Sequence, residues 1–292
     1  MNNSHYYHCA TNGLKDDVLF PSVKSFIAGM NRIATCFVKS QKSFPVLIFA
    51  FCLMDNHVHF ILYGTKENCL KFMTAYKTST ETWFSRHPEE GSGGKKWDIG
   101  TWLIPDRNAL IEKIIYVLRN PMAAALPFSP TGYRWSSGSL QFTDNSLVKK
   151  YAVRLDSMSL FEQRSVLNSH ESLPQDWLVL PDGTIWPGCY TEYERVERLF
   201  RTAAAFTYEL NKKVEPKVNS EMMEDFVSLP DQEVKEKALA VAQSLFGKNR
   251  IADLTVSQRR TLAAVLKKET ETSVKQIARI VRMKYEDLKL LI

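Results

Sequence analysis

The sequence predicts an α+β protein built on a βαββαβ antiparallel sheet, with one helix added after it and a mostly helical C-terminal region ending in a helix-turn-helix. Three observations predict this. Strand and helix patterns alternate through the first 120 residues. Two apolar runs, FPVLIFAFCLM and NHVHFILYG, are parted only by Asp55 and Asn56, a favourable pair for a tight hairpin. Four helical patterns then follow one another from about residue 228 to the end.

Taken in order, SHYYHCAT reads as a strand. In PSVKSFIAGMNRIATCFVKSQ, Pro21 stands at a helix start and Val23, Phe26, Ile27, Met30, Ile33, Ala34 and Phe37 recur at helical spacing. The hairpin strands come next, then KENCLKFMTAYKTSTETWFSRH as a helix that stops before the Gly-rich PEEGSGGKK loop. WDIGTWLI is a fourth strand, and Asp106 can cap a helix running to about Arg119. This is the ferredoxin-like order, with both crossover helices on one face of the sheet. Between about 127 and 218, YRWSS and WLVLPDGTIWPGCY suggest turns and short strands, and YERVERLFRTAAAFTYELNKK a helix. The expected division is a sheet domain over 1–140, a connecting region over 141–218 and a helical domain over 219–292.

At 292 residues and 45% apolar content the chain can bury a substantial core. No run approaches the roughly 18 apolar residues of a membrane span, and MNNSHYYHCATNG lacks a basic-then-apolar leader pattern, so the expected compartment is the cytoplasm, with no membrane partner. Five scattered cysteines without a C-x-x-C pair suggest reduced core residues. Charge divides along the chain: 17 Lys+Arg against 11 Asp+Glu over 1–150, 10 against 16 over 151–246, and 11 against 5 over 247–292. Two basic segments suit a polyanion, although such imbalances also arise as solvated faces. In the last segment, SVKQIARIVRMKYEDLKLL has a helix-turn-helix pattern. Ile277, Ala278 and Val281 would pack inward, and the second helix would present Lys284, Tyr285 and Lys289 to DNA.

Two residues invite chemistry in the apolar hairpin. His57 and His59 are at i and i+2, the same face of a strand. A divalent metal would satisfy both imidazoles, and so would hydrogen bonds to neighbouring groups. In the helix IEKIIYVLRNPMAAAL, Tyr116 and Asn120 lie one turn apart on one face. Asn120 before Pro121 also fits the N-cap of a new short helix, and Tyr116 fits an amphipathic core position.

These residues carry a family resemblance. L-M-D-N-H-V-H at 53–59, Y-V-L-R-N-P-M-A-A-A-L at 116–126, Y-R-W-S-S at 133–137, and the early H-C-A-T followed by Leu19-Phe20 stand in an order and spacing similar to those of the REP-associated single-tyrosine transposases. These are a branch of the HUH endonucleases related to the transposases of small single-strand insertion sequences. The likeness spans roughly residues 5–140 and departs at Asp55, where the family has proline. It implies that His57, His59 and Asn120 hold Mg²⁺ or Mn²⁺ and that Tyr116 is the nucleophile. The implied substrate is single-stranded hairpin or repeat DNA, cut and rejoined through a covalent 5′-phosphotyrosine. Whether such a protein acts as monomer or homodimer is left open. One alternative is a noncutting DNA-binding regulator descended from such a transposase. Another, a two-histidine phosphoesterase, needs two His-x-Ser/Thr motifs, and here only His170-Glu171-Ser172 matches.

Overall fold

The computed structural model describes residues 4–11, 18–90, 98–123, 129–212, 231–270, 274–283 and 287–288. The chain forms two compact units, one spanning Met1–Arg119 and Ser129–Asn211, the other Asn120–Phe128 and Lys212–Ile292.

The first unit contains β1 (His5–Thr11), α1 (Val23–Ser43), β2 (Leu47–Leu53), β3 (Val58–Gly64), α2 (Lys66–Arg86) and β4 (Ile99–Ile104). The strands lie in the order β2-β3-β1-β4, every neighbouring pair antiparallel. This is the ferredoxin-like sheet that the alternating pattern predicts. Ser22 caps α1 through a capping box with Ser25, and Thr65 caps α2, so each helix starts where its leading N–H groups find oxygen acceptors. Phe60 on β3 packs its ring against Phe72 and Tyr76 of α2, which places the helical layer on one face of the sheet.

The hairpin bends at Asp55 and Asn56, as expected, but β3 begins one residue later than its apolar run suggests. The Met54 N–H donates to the His57 carbonyl at 2.8 Å, so His57 closes the turn and stands just outside the strand. Two further ties hold this end: the Asp55 carbonyl accepts the N–H groups of Leu19 and Phe20, and Thr11 Oγ1 accepts the Val58 N–H at 3.0 Å.

β2 is an edge strand, and its outer side is covered by chain from the second half of the unit. The YRWSS segment does much of this. Leu53 N–H donates to the Trp135 carbonyl at 2.9 Å, Phe51 N–H to Ser137 Oγ at 3.0 Å, and Tyr133 O–H to the Leu53 carbonyl at 2.9 Å. Farther along, the Glu192 N–H donates to the Ile48 carbonyl. Covering an edge in this way satisfies its backbone groups and removes a template for pairing with another chain.

After β4 comes α3 (Arg107–Ala123), capped by Asp106, whose Oδ1 accepts the Ala109 N–H. It runs past the expected end near Arg119, with Pro121 inside it and Asn120 as an interior residue. The reading of Asn120 as the cap of a new helix is therefore corrected. Proline's fixed φ is compatible with a helix, and the disruption is confined to the last turn, since the helix ends at Ala123. Beyond it lie α4 (Ser146–Tyr151), β5 (Val153–Arg154), α5 (Leu160–Leu167), β6 (Leu178–Val179), α6 (Tyr193–Phe200) and α7 (Ala203–Asn211). The pattern expected to give one helix from Tyr193 gives two. Arg201 takes a positive φ of 68°, and Thr202 Oγ1 accepts the Ala205 N–H, so the chain stops and restarts.

The second unit contains α8 (Asp231–Phe246), α9 (Val256–Thr270) and α10 (Val274–Val281). Its core gathers Val234, Ala238 and Ala242 of α8, Leu262 and Leu266 of α9, and Ile277, Ala278 and Val281 of α10. The last three are the residues expected to face inward. α10 ends in a Schellman motif: Arg282 is left-handed at φ 58°, its N–H donates to the Arg279 carbonyl, and the Met283 N–H reaches back to the Ala278 carbonyl. Lys284, Tyr285 and Lys289, expected to contact DNA, lie outside the described residues. Among the described residues no helix is long and apolar enough to cross a membrane. All five cysteines are free thiols, four of them buried.

Candidate active site on the sheet face opposite the crossover helices

On a strand, alternate residues share a face, so the face opposite α2 carries His8 of β1 and His59 of β3. Antiparallel register sets Ala10 opposite His59 and Ile61 opposite His8, making the two histidines diagonal neighbours. Their rings are nearly parallel, 5.2 Å apart, and His8 Nε2 lies 3.0 Å from His59 Nδ1. Both residues are buried. The His57 ring stands edge-on to that of His59 at 4.7 Å.

α3 brings the tyrosine. The Tyr116 ring meets His59 at 5.6 Å and His8 at 5.6 Å, edge-on to both. Of the other tyrosines in this half of the chain, Tyr76 is fully buried under the helical face and Tyr63 packs against Tyr6. Among the described residues, Tyr116 is the tyrosine whose ring meets those of both His8 and His59. Asn120 follows it by one helical turn on α3. His57, His59 and Tyr116 thus converge from two segments far apart in sequence, while Asn120 belongs to the second compact unit.

The two metal-ligand candidates are oriented from behind. Asn56 Oδ1 lies 2.5 Å from His57 Nδ1 and, as an acceptor, fixes the proton there and the lone pair on Nε2. In the tautomer where His59 Nδ1–H donates to His8 Nε2, the His59 lone pair is likewise on Nε2. Outer partners that hold ring N–H groups in this way are common around metal-binding histidines. Burial lowers the His8 pKa from its usual value to about 3, with Lys113 adding to the effect. Burial also holds His59 well below the usual histidine range, reinforced by His57, His8 and Lys113. Both rings are therefore neutral at pH 7, and neutral imidazole is the form that binds metals. Among the described residues no group of three or more His, Cys, Asp or Glu is arranged to hold a metal ion. In those tautomers the lone pairs that a metal would use are on the Nε2 atoms of His57 and His59.

Two members of this site are given no role there by the sequence. His8 sits in SHYYHCAT, but only strand register reveals that it backs His59. Trp102, directly opposite His8 on β4, lays its ring 5.3 Å from that imidazole at 27°. The alternation in WDIGTWLI places it on a strand without saying beside what.

No family model and no curated relative matches the chain. Among solved structures, one of a REP-associated tyrosine transposase bound to a REP hairpin is similar over 47% of this chain and 78% of that one, at 11% identity and a TM-score of 0.34, a distant likeness.

Proposed function

We propose that this chain is a DNA strand transferase and nuclease of the HUH type. In this reading it cuts single-stranded hairpin or repeat DNA and can rejoin it. The observation that carries this is the meeting of His57, His59 and Tyr116 rings at one place on the sheet face. The sequence motifs that resemble the REP-associated transposases contain the same three residues.

The chemistry needs these residue types. Tyr116 Oη attacks the phosphorus, forming a Tyr–O–P bond while the P–O3′ bond breaks and the 3′ oxygen leaves as a hydroxyl. The phenolic proton passes to solvent. The 5′-phosphotyrosine conserves the phosphodiester, so a 3′-hydroxyl can later attack the same phosphorus and release Tyr116. Strand joining then needs no nucleotide cofactor. Tyrosine, with an ordinary pKa of about 10, is a weak nucleophile at neutral pH, so placement of the strand must do much of the activation. His57, His59 and Asn120 are the residues that would hold Mg²⁺ or Mn²⁺, imidazole favouring manganese. Such an ion supplies positive charge for the phosphate oxygens. Residues 219–292 serve in this proposal as a duplex-binding module through Lys284, Tyr285 and Lys289, holding the stem while the sheet face engages the single strand.

End-labelled hairpin DNA incubated with the protein and Mn²⁺ tests the reading. A protein–DNA adduct that survives denaturation is expected, absent in Tyr116→Phe and after chelation. Cleavage that leaves no adduct, or an adduct persisting in Tyr116→Phe, overturns it.

A further inference from the structure

Trp102 is 49% exposed, an unusual cost for so large an apolar ring, and its plane is fixed by two neighbours. On one side is His8, 5.3 Å away and within 27° of parallel. The second neighbour is Gly100, two residues back on the same face of β4: a Cβ there would overlap the six-membered ring of the indole. The indole therefore lies along the bare backbone of Gly100 and against the buried imidazole, and about half of its surface is still exposed. The exposed part of the ring is flat and held in place before any ligand arrives. It lies one ring beyond His8, which itself contacts His59 and Tyr116.

We infer that Trp102 is a stacking platform for a nucleobase next to the phosphate that Tyr116 attacks; this rests on the reading of the site as one that acts on single-stranded DNA. Every base has a π-face, so such a platform tolerates sequence while setting the position of the strand. It also accounts for a glycine at position 100, since any side chain there would lift the indole off the strand.

A simpler role would have the ring merely cover Gly100 on an edge strand. Two substitutions separate them. Trp102→Leu keeps an apolar cover and removes the π-face; Trp102→Tyr keeps an aromatic plane. Binding of fluorescein-labelled oligothymidylate is measured by anisotropy on the full chain carrying Tyr116→Phe, in EDTA, so that no strand is cut. Trp102→Leu is expected to weaken binding about tenfold, and Trp102→Tyr to stay within about threefold. Equal affinity in the leucine variant overturns the inference. A second readout does not depend on the leucine variant folding: thymine stacking quenches indole emission, so the quench seen with Trp102 is lost in Trp102→Tyr. A quench of equal size in both also overturns it. Failure of the nuclease reading looks different, because the strand then binds with the Trp102 dependence intact while wild-type protein forms no adduct. If the full chain does not bind the oligonucleotide at all, both fall.

Discussion

His59 depends on its neighbours for its state. Buried, hydrogen-bonded to His8 and flanked by His57, it is kept neutral with one nitrogen turned to a partner. His57→Ala or His59→Ala should therefore abolish metal-dependent cleavage while leaving DNA affinity nearly unchanged, because basic side chains rather than the imidazoles supply most of the binding. Asn120→Ala should weaken cleavage less, since water can replace one neutral ligand. A gel-based cleavage assay beside an anisotropy titration checks both; cleavage at the wild-type rate in either histidine variant would contradict the metal-site proposal. In the proposed site His8 would act through His59 as a positioning residue. His8→Leu should raise the Mn²⁺ concentration for half-maximal cleavage by about 10–100-fold, the range typical of lost outer partners, and His8→Gln, which can still accept from His59 Nδ1, should recover part of it. A purely structural role for His8 would lower thermal stability without moving that midpoint. The pair His57 and His59 and the Tyr116–Asn120 spacing are legible in the sequence because each is local, within one turn or one strand. His8 and Trp102 are not, because only the register between β1, β3 and β4 brings them to the pair.

Among the elements, the strands and long helices of the first unit follow from alternation and helical spacing, which are local and strong. What is not legible is the region past residue 129, whose order comes from long-range ties. YRWSS has no strand pattern of its own; it is ordered by the exposed edge of β2, to which Trp135 and Ser137 supply hydrogen-bonding partners. Asn31, inside α1, plays the corresponding part for the turn around Gly183. Its Nδ2 donates to the Val166 and Gly183 carbonyls at 3.0 and 2.9 Å, and its Oδ1 accepts the Ile185 N–H at 2.8 Å. In the sequence it is merely a polar residue within an amphipathic helix. Asn31→Ala should cost about 3 kcal/mol, because it strands three backbone groups where water has poor access. A denaturant titration measures it; a loss below about 0.5 kcal/mol, within the range of ordinary surface substitutions, would show that this region is held by other contacts.

At the scale of the whole molecule, the fold class was readable because the sheet order and the helical C-terminal pattern are separate signals in separate stretches. The boundary was less so: it falls at Asn120, inside α3, which the sequence pattern gives no reason to divide. The basic charge of residues 247–292 belongs to that unit. Lys284→Glu with Lys289→Glu in the full chain should weaken binding to a duplex stem and flatten its salt dependence, each lost phosphate contact removing about 0.9 from the slope of log K against log salt. Cutting of a short single strand should be unaffected. An unchanged salt slope would show that these lysines do not contact DNA. The central claim, that Tyr116 is the nucleophile, is tested most directly by locating the covalent link. Adduct formed with hairpin DNA and Mn²⁺ is digested with nuclease and trypsin and mapped by mass spectrometry. The account predicts a nucleotide remnant on the peptide Ile114–Arg119, whose single tyrosine is Tyr116; a remnant on any other peptide, or cleaved DNA with none, would contradict it.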